Sequence, residues 1–140
     1  LSGAIAILDY RGTVVDVTPM PGTPHDIADH FDEFGPRIAF AMIENVHSFP
    51  GQGISSTMKF GWNKGLLDMA IIHIPHQGIQ PGTWQKFFGL IRTHKNETLV
   101  QKKNRHKAAA QSLFPDVKIT HAIADALLIA EFCRRERSGK

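Results

Sequence analysis

At 140 residues, 42% of them hydrophobic, the chain carries enough apolar surface for one proper core, and a single domain over residues 1–140 is expected. No apolar run is long enough to span a bilayer, the N-terminus lacks the basic flank of a signal peptide, and the single cysteine, Cys133, excludes an internal disulfide and a cysteine-based zinc site; a soluble, cytoplasmic protein with no membrane partner is expected. The net charge of +3 is unevenly spread: residues 92–107 hold six basic side chains against Glu97, and the C-terminal tail adds Arg134, Arg135, Arg137 and Lys140 against Glu131 and Glu136, so the body of the chain is neutral to acidic.

In chain order, Ser2 to Asp9 reads as a compact apolar strand, Tyr10-Arg11-Gly12-Thr13 as a turn, and Val14 to Met20 as the alternating second strand of a hairpin. Thr23-Pro24-His25-Asp26 then supplies an N-cap, a proline at the first helical position and an acid in the first turn. The helix that follows is expected to bury a stripe of Ile27, Phe31 and Phe34, and Gly35 ends it. The run Ile38 to Asn45 predicts a central strand buried on both faces, with Glu44 at its tip. A carboxylate there opens onto the crevice beyond the strand ends, where open α/β sheets place their chemistry; the plain alternative is a solvated strand-end acid.

Residues 45–53 form a glycine-bearing loop in which Phe49 is placed either to stack on an unpaired base or to anchor the loop locally. From Ser55 or Ser56 a long helix carries Met58, Trp62, Leu66, Met69 and Ala70 and reaches toward Ile74, with Gly61 and Gly65 four apart as a close packing contact, a dimer seam or a helix-on-sheet approach. Pro75 ends that segment, His76 to Gln80 is a short strand, and Thr83 is expected to cap a short helix bearing Trp84, Phe87 and Phe88. His73 and His76 straddle the proline and a change of element, which argues against a shared metal ion. Asn96 or Thr98 starts the next helix, whose Lys102, Lys103, Arg105, His106 and Lys107 form either a solvated face or a surface for a polyanion. The order β-β-α-β-α-β-α-α-α describes a mixed α/β sheet with helices on its faces.

The last helix begins at the N-cap Thr120 and places His121 and Asp125 one turn apart on one face of an apolar stretch. Asp125 is either an acid stabilised by the helix dipole or, with His121, a partner of Glu44 in a divalent-metal site. Carboxylate oxygens suit Mg²⁺ or Mn²⁺, and a pair of such ions serves phosphodiester hydrolysis.

With those residues in view, the chain resembles the RuvC-type crossover junction endodeoxyribonucleases of the RNase H-like superfamily, particularly their phage-borne members. The likeness runs over essentially the whole chain. It is carried by Leu1-Ser2-Gly3-Ala4-Ile5-Ala6, Ile43-Glu44-Asn45, Ser56-Thr57-Met58-Lys59-Phe60-Gly61 with Gly65, Pro81-Gly82-Thr83-Trp84-Gln85-Lys86, and most specifically Ala124-Asp125-Ala126-Leu127-Leu128-Ile129-Ala130. The resemblance implies an RNase H-like mixed sheet flanked by helices, a homodimer, and metal-dependent nicking of four-way DNA junctions. It implies Glu44 and Asp125 as two of four metal positions, His121 near the third, and Lys86 at a phosphate-contacting lysine. Lys102, Lys103 and Lys107 add the basic face for branched DNA.

The family's first acid lies on a strand that would precede Leu1, so a sheet without its first strand and a site short of one ligand are expected. Asp9 stands at the far end of its strand, about 20 Å from Gly3, and does not replace that acid. The alternatives are a DNA-binding module of the same fold without catalysis, and a related nuclease acting on structured RNA.

Overall fold

The computed structural model describes residues 3–45, 50–92 and 95–139. Its first unit is the expected hairpin. Strand β1 (Ala4–Leu8) pairs antiparallel with β2 (Val14–Pro19), in register from Ala4 opposite Pro19 to Ile7 opposite Asp16, with an irregularity before Leu8. Asp9 closes the turn: its Oδ1 accepts from the backbone N–H groups of Arg11 and Thr13, each at 2.9 Å, and its own N–H donates to the Thr13 carbonyl. Gly12 adopts a φ of +89°, where an L side chain is strained, and the guanidinium of Arg134 lies against it.

Helix α1 (Pro24–Phe34) starts where its caps indicate, with Thr23 Oγ1 accepting from the Asp26 N–H at 3.1 Å. Its stripe is shallower than expected: Ile27 alone is buried, and Phe31 and Phe34 are only partly covered. A single 3₁₀ turn, Gly35–Arg37, follows. The central strand is correspondingly shorter than the apolar run suggested. Strand β3 spans Ala41–Glu44, all four residues are half-buried, and Ile38 to Phe40 lie outside it.

The reason is its pairing. β3 runs parallel to β4 (His76–Ile79), Ala41 opposite His76 and Glu44 opposite Ile79, and its other edge pairs with nothing among the described residues. The outer edge of β1 is equally unpaired, so the sheet is divided into an antiparallel pair and a parallel pair. Between them lies a cavity of about 690 Å³, walled by β1 on one side and by residues 38–43 on the other, with Ala126, Ile129, Ala130 and Cys133 along a third wall. The lining is mainly aliphatic.

Helix α2 (Ile54–Ala70) differs from expectation in orientation. Met58, Trp62 and Met69 are 70%, 61% and 69% exposed, and no residue of α2 is buried. The helix rests on α1 rather than on a sheet, and so its apolar stripe stays open. Helix α3 (Pro81–Phe87) begins two residues before the expected cap, because Pro81 occupies the first helical turn directly after Gln80.

Helix α4 (Leu99–Leu113) is entered through a reciprocal capping box between Thr98 and Gln101. Helix α5 (His121–Ser138) is capped by Thr120 and buries Ile123, Ala124, Leu127, Leu128, Glu131 and Phe132. It packs against α3, α4, β1, β2 and β3, and the core formed with Trp84, Leu90, Ala110 and Phe114 lies along it. With Leu127 and Leu128 fully buried, truncating either to alanine should cost about 2–5 kcal/mol. The architecture is mixed α/β, with small sheets flanked by helices. Among the described residues no helix is long and apolar enough to cross a membrane.

Candidate active site

Glu44 is the last residue of β3, and the strand register sets it beside Ile79 at the end of β4. The chain leaves β4 through Gln80 and turns at once into α3, which brings Trp84 back over the strand tip. Trp84 is fully buried, and its indole Nε1–H donates to Glu44 Oε2 at 2.7 Å. Burial pushes the Glu44 carboxyl up, the Trp84 hydrogen bond opposes this, and the charge of Asp125 pushes it up again. His106 and Lys102 pull the other way, and the net shift is upward.

Asp125 lies in the second turn of α5 and His106 in the middle of α4, where the two helices pack. His106 Nδ1 is 3.1 Å from Asp125 Oδ1; the histidine side chain is 5% exposed and the aspartate 45%. An ionised carboxylate only accepts, so Nδ1 carries the proton. Nε2 is buried and has no partner among the described residues. The His106 and Trp84 rings meet edge to face, centroids 5.4 Å apart at 72°. The second oxygens of Glu44 and Asp125 accept no hydrogen bond among the described residues.

Of the residues singled out in the sequence, Glu44 and Asp125 therefore feel one another's charge at the junction of β3, α3, α4 and α5. His121 does not join them: it is exposed, and its Nε2 lies 3.0 Å from Asn104 Oδ1. Lys102, half-buried one turn before His106, acts on Glu44, whereas Lys103 and Lys107 are exposed on α4 and Lys86 is exposed on α3. Arg105 is held by Glu97 and the Leu90 carbonyl, and His76 by the Ile74 carbonyl, which ties both to local structure. Phe49 and residues 46–48 lie outside the described residues.

Two of the side chains that hold this arrangement together were placed elsewhere by sequence reasoning. His106 stood in the basic run and Trp84 in an apolar helix face. A signal was present for His106: it lies four residues before Ala110 and eight before Phe114, both buried, so it belongs to the inward line of α4 rather than to the lysine face.

Two carboxylates, each with an oxygen left over, fit part of the shell of a hard cation such as Mg²⁺ or Mn²⁺. Among the described residues no three His, Cys, Asp or Glu side chains gather as one ligand set. Glu44 and Asp125 alone fall short of such a set.

No family model and no curated protein matches the chain. Among solved structures it is similar to RuvC of Thermus thermophilus, with a TM-score of 0.59 and 13% sequence identity over 99% of this chain and 95% of that one. At that identity the likeness speaks to architecture: the chain has a RuvC-like, RNase H-type α/β fold.

Proposed function

We propose that this protein is a divalent-metal-dependent endonuclease that nicks four-way or otherwise branched DNA, acting as a symmetric dimer. The observation that supports the reading is Glu44 at the tip of β3 with the Asp125 charge of α5 acting on it, in a RuvC-like fold. Glu44 Oε1 and Asp125 Oδ2 would hold the cation, Mg²⁺ or Mn²⁺, which when bound polarises a phosphodiester and lowers the pKa of water. Trp84 and His106 orient the two carboxylates, and Lys102 sets a positive charge beside them. Lys86, Lys103 and Lys107 are free to meet phosphates on the adjoining surface. The open apolar face of α2, with Met58, Trp62 and Met69, is the surface proposed for the dimer seam, which would set two sites against strands related by a two-fold axis.

A second reading, DNA binding without cleavage, is favoured by one fact: the described residues assemble two acids where a metal pair needs more anionic oxygens. Nicking of synthetic four-way junctions with Mg²⁺ or Mn²⁺, run beside duplex DNA and structured RNA, tests both. Junction-selective nicking that Glu44→Gln abolishes, with junction binding retained, supports the nuclease. Cleavage at the original rate in Glu44→Gln overturns the assignment, and metal-independent binding without cleavage leaves the second reading.

A further inference from the structure

Glu44 and Asp125 come from elements that share no turn, so their relative placement depends on what connects them in space. That connection is continuous. Glu44 Oε2 is held by Trp84 Nε1–H at 2.7 Å, the Trp84 ring meets the His106 ring at 5.4 Å, and His106 Nδ1–H holds Asp125 Oδ1 at 3.1 Å. Both rings are buried, one on α3 and one on α4. We infer that Trp84 and His106 are positioning residues, a ring-paired brace that holds one oxygen of each carboxylate and so fixes how Glu44 and Asp125 are oriented. The purpose of the brace rests on the nuclease reading; its geometry does not.

Two physical points support it. Like charges repel, and a carboxylate free to swing loses rotamer freedom when it binds a cation; a carboxylate held in advance has already lost it. Among the described residues, moreover, the hydrogen bond of the buried His106 ring is the one from Nδ1 to Asp125. A side chain kept there for packing alone would need no such donor. What histidine adds at this position is the Nδ1–H directed at Asp125.

The test uses the full chain in two arms. In the first, Mn²⁺ binding is followed by the electron paramagnetic resonance of the free ion. Trp84→Phe and His106→Leu, each deleting a donor while keeping an apolar side chain, should weaken binding about ten-fold, while His106→Asn, which keeps a donor near Nδ1, should stay within about two-fold of the original. Rescue by His106→Asn separates positioning from a merely structural role. Where the parent chain binds Mn²⁺, unaltered affinity in folded His106→Leu overturns the brace.

The second arm needs no metal. The ¹⁵N resonance of the Trp84 indole should move in Glu44→Gln, and that of the His106 ring in Asp125→Asn. Resonances that stay put overturn the brace whatever the metal arm gives. A parent chain that binds no Mn²⁺ while both resonances respond would sink the nuclease reading and leave the brace standing.

Discussion

Glu131 and Arg134 form a two-pronged ion pair within α5, Arg134 Nε to Glu131 Oε1 at 2.6 Å and Nη2 to Oε2 at 2.7 Å. Arg135 adds a third bond to Oε2 at 2.7 Å. Burial pushes this carboxyl up, but the hydrogen bonds and charges of the two arginines outweigh it and hold Glu131 below the ordinary carboxylate value. A group depressed in the folded state contributes stability above its unfolded pKa and loses it as the pH falls through the folded one. Glu131→Gln should therefore cost roughly 2–3 kcal/mol at neutral pH and flatten the acid limb of the stability curve. Thermal melts from pH 7 down to pH 3 read both effects, and an unchanged melting temperature at pH 7 would sink the claim.

At Glu44 the sign is reversed. Its carboxyl is raised by burial and by Asp125, so in metal-free protein the ionised form opposes folding, and a neutral amide that still accepts from Trp84 should not. Glu44→Gln should melt higher than the original chain near neutrality. The advantage should vanish at acid pH, where the glutamate is already protonated. A lower melting temperature at pH 7 would show that the charge is stabilised by something other than the neighbours named here.

The lysines of α4 divide into two groups. Replacing Lys103 and Lys107 with alanine should weaken DNA binding and lower the slope of log affinity against log salt by about 2, with little effect on cleavage at saturating DNA. Lys102→Ala should act chiefly on the cleavage step, since the Lys102 charge acts on Glu44. Binding titrations from low to high salt beside single-turnover nicking separate the two. Indistinguishable profiles for the two variants would mean that Lys102 is part of the same phosphate-binding face.

The slot between β1 and β3 presents two strand edges that are unpaired among the described residues, across an aliphatic cavity. An upstream strand carrying an aspartate just before Leu1-Ser2-Gly3 should pair with both edges and bring a third carboxylate toward Glu44. Such an extension should raise the melting temperature by about 5 °C or more and increase nicking with Mn²⁺. An extended chain that melts and cuts like the shorter one would show that the slot does not receive it.

Charge placed on the open face of α2 should act on assembly. Trp62→Glu with Met69→Glu should shift sedimentation toward monomer while leaving the helical circular dichroism in place, since both side chains are exposed. A dimer that persists through both changes would move the seam elsewhere.

Element order and most helix starts were legible in the sequence because they are written in local chemistry: Thr23, Thr98 and Thr120 each cap the helix they precede, and Pro24 and Pro81 each occupy a first turn. Burial was less legible. The run Ile38 to Ile43 looks like the middle of a sheet because its side chains are apolar, but whether a strand has two neighbours depends on distant segments. The stripe on α2 has the spacing of a core helix, and nothing in its own residues tells whether a sheet lies beneath it. At the site, Glu44 and Asp125 stood out as acids in apolar surroundings. His106 did not, since its partner is nineteen residues away on another helix, and a hydrogen bond of that kind leaves no mark on local periodicity.

The division of the sheet also bears on how the molecule comes apart. Among the described residues the antiparallel and parallel pairs share no ladder bonds, and both lean on α5. Loosening of the hairpin and loosening of the β3–β4 pair should then be separate subglobal openings, each less costly than global unfolding, and the amide hydrogens of α5 should exchange only when the whole fold is lost. Native-state hydrogen exchange should accordingly rank residues 123–132 as the slowest in the chain, with the amides of β1–β2 and of β3–β4 forming two faster groups of their own.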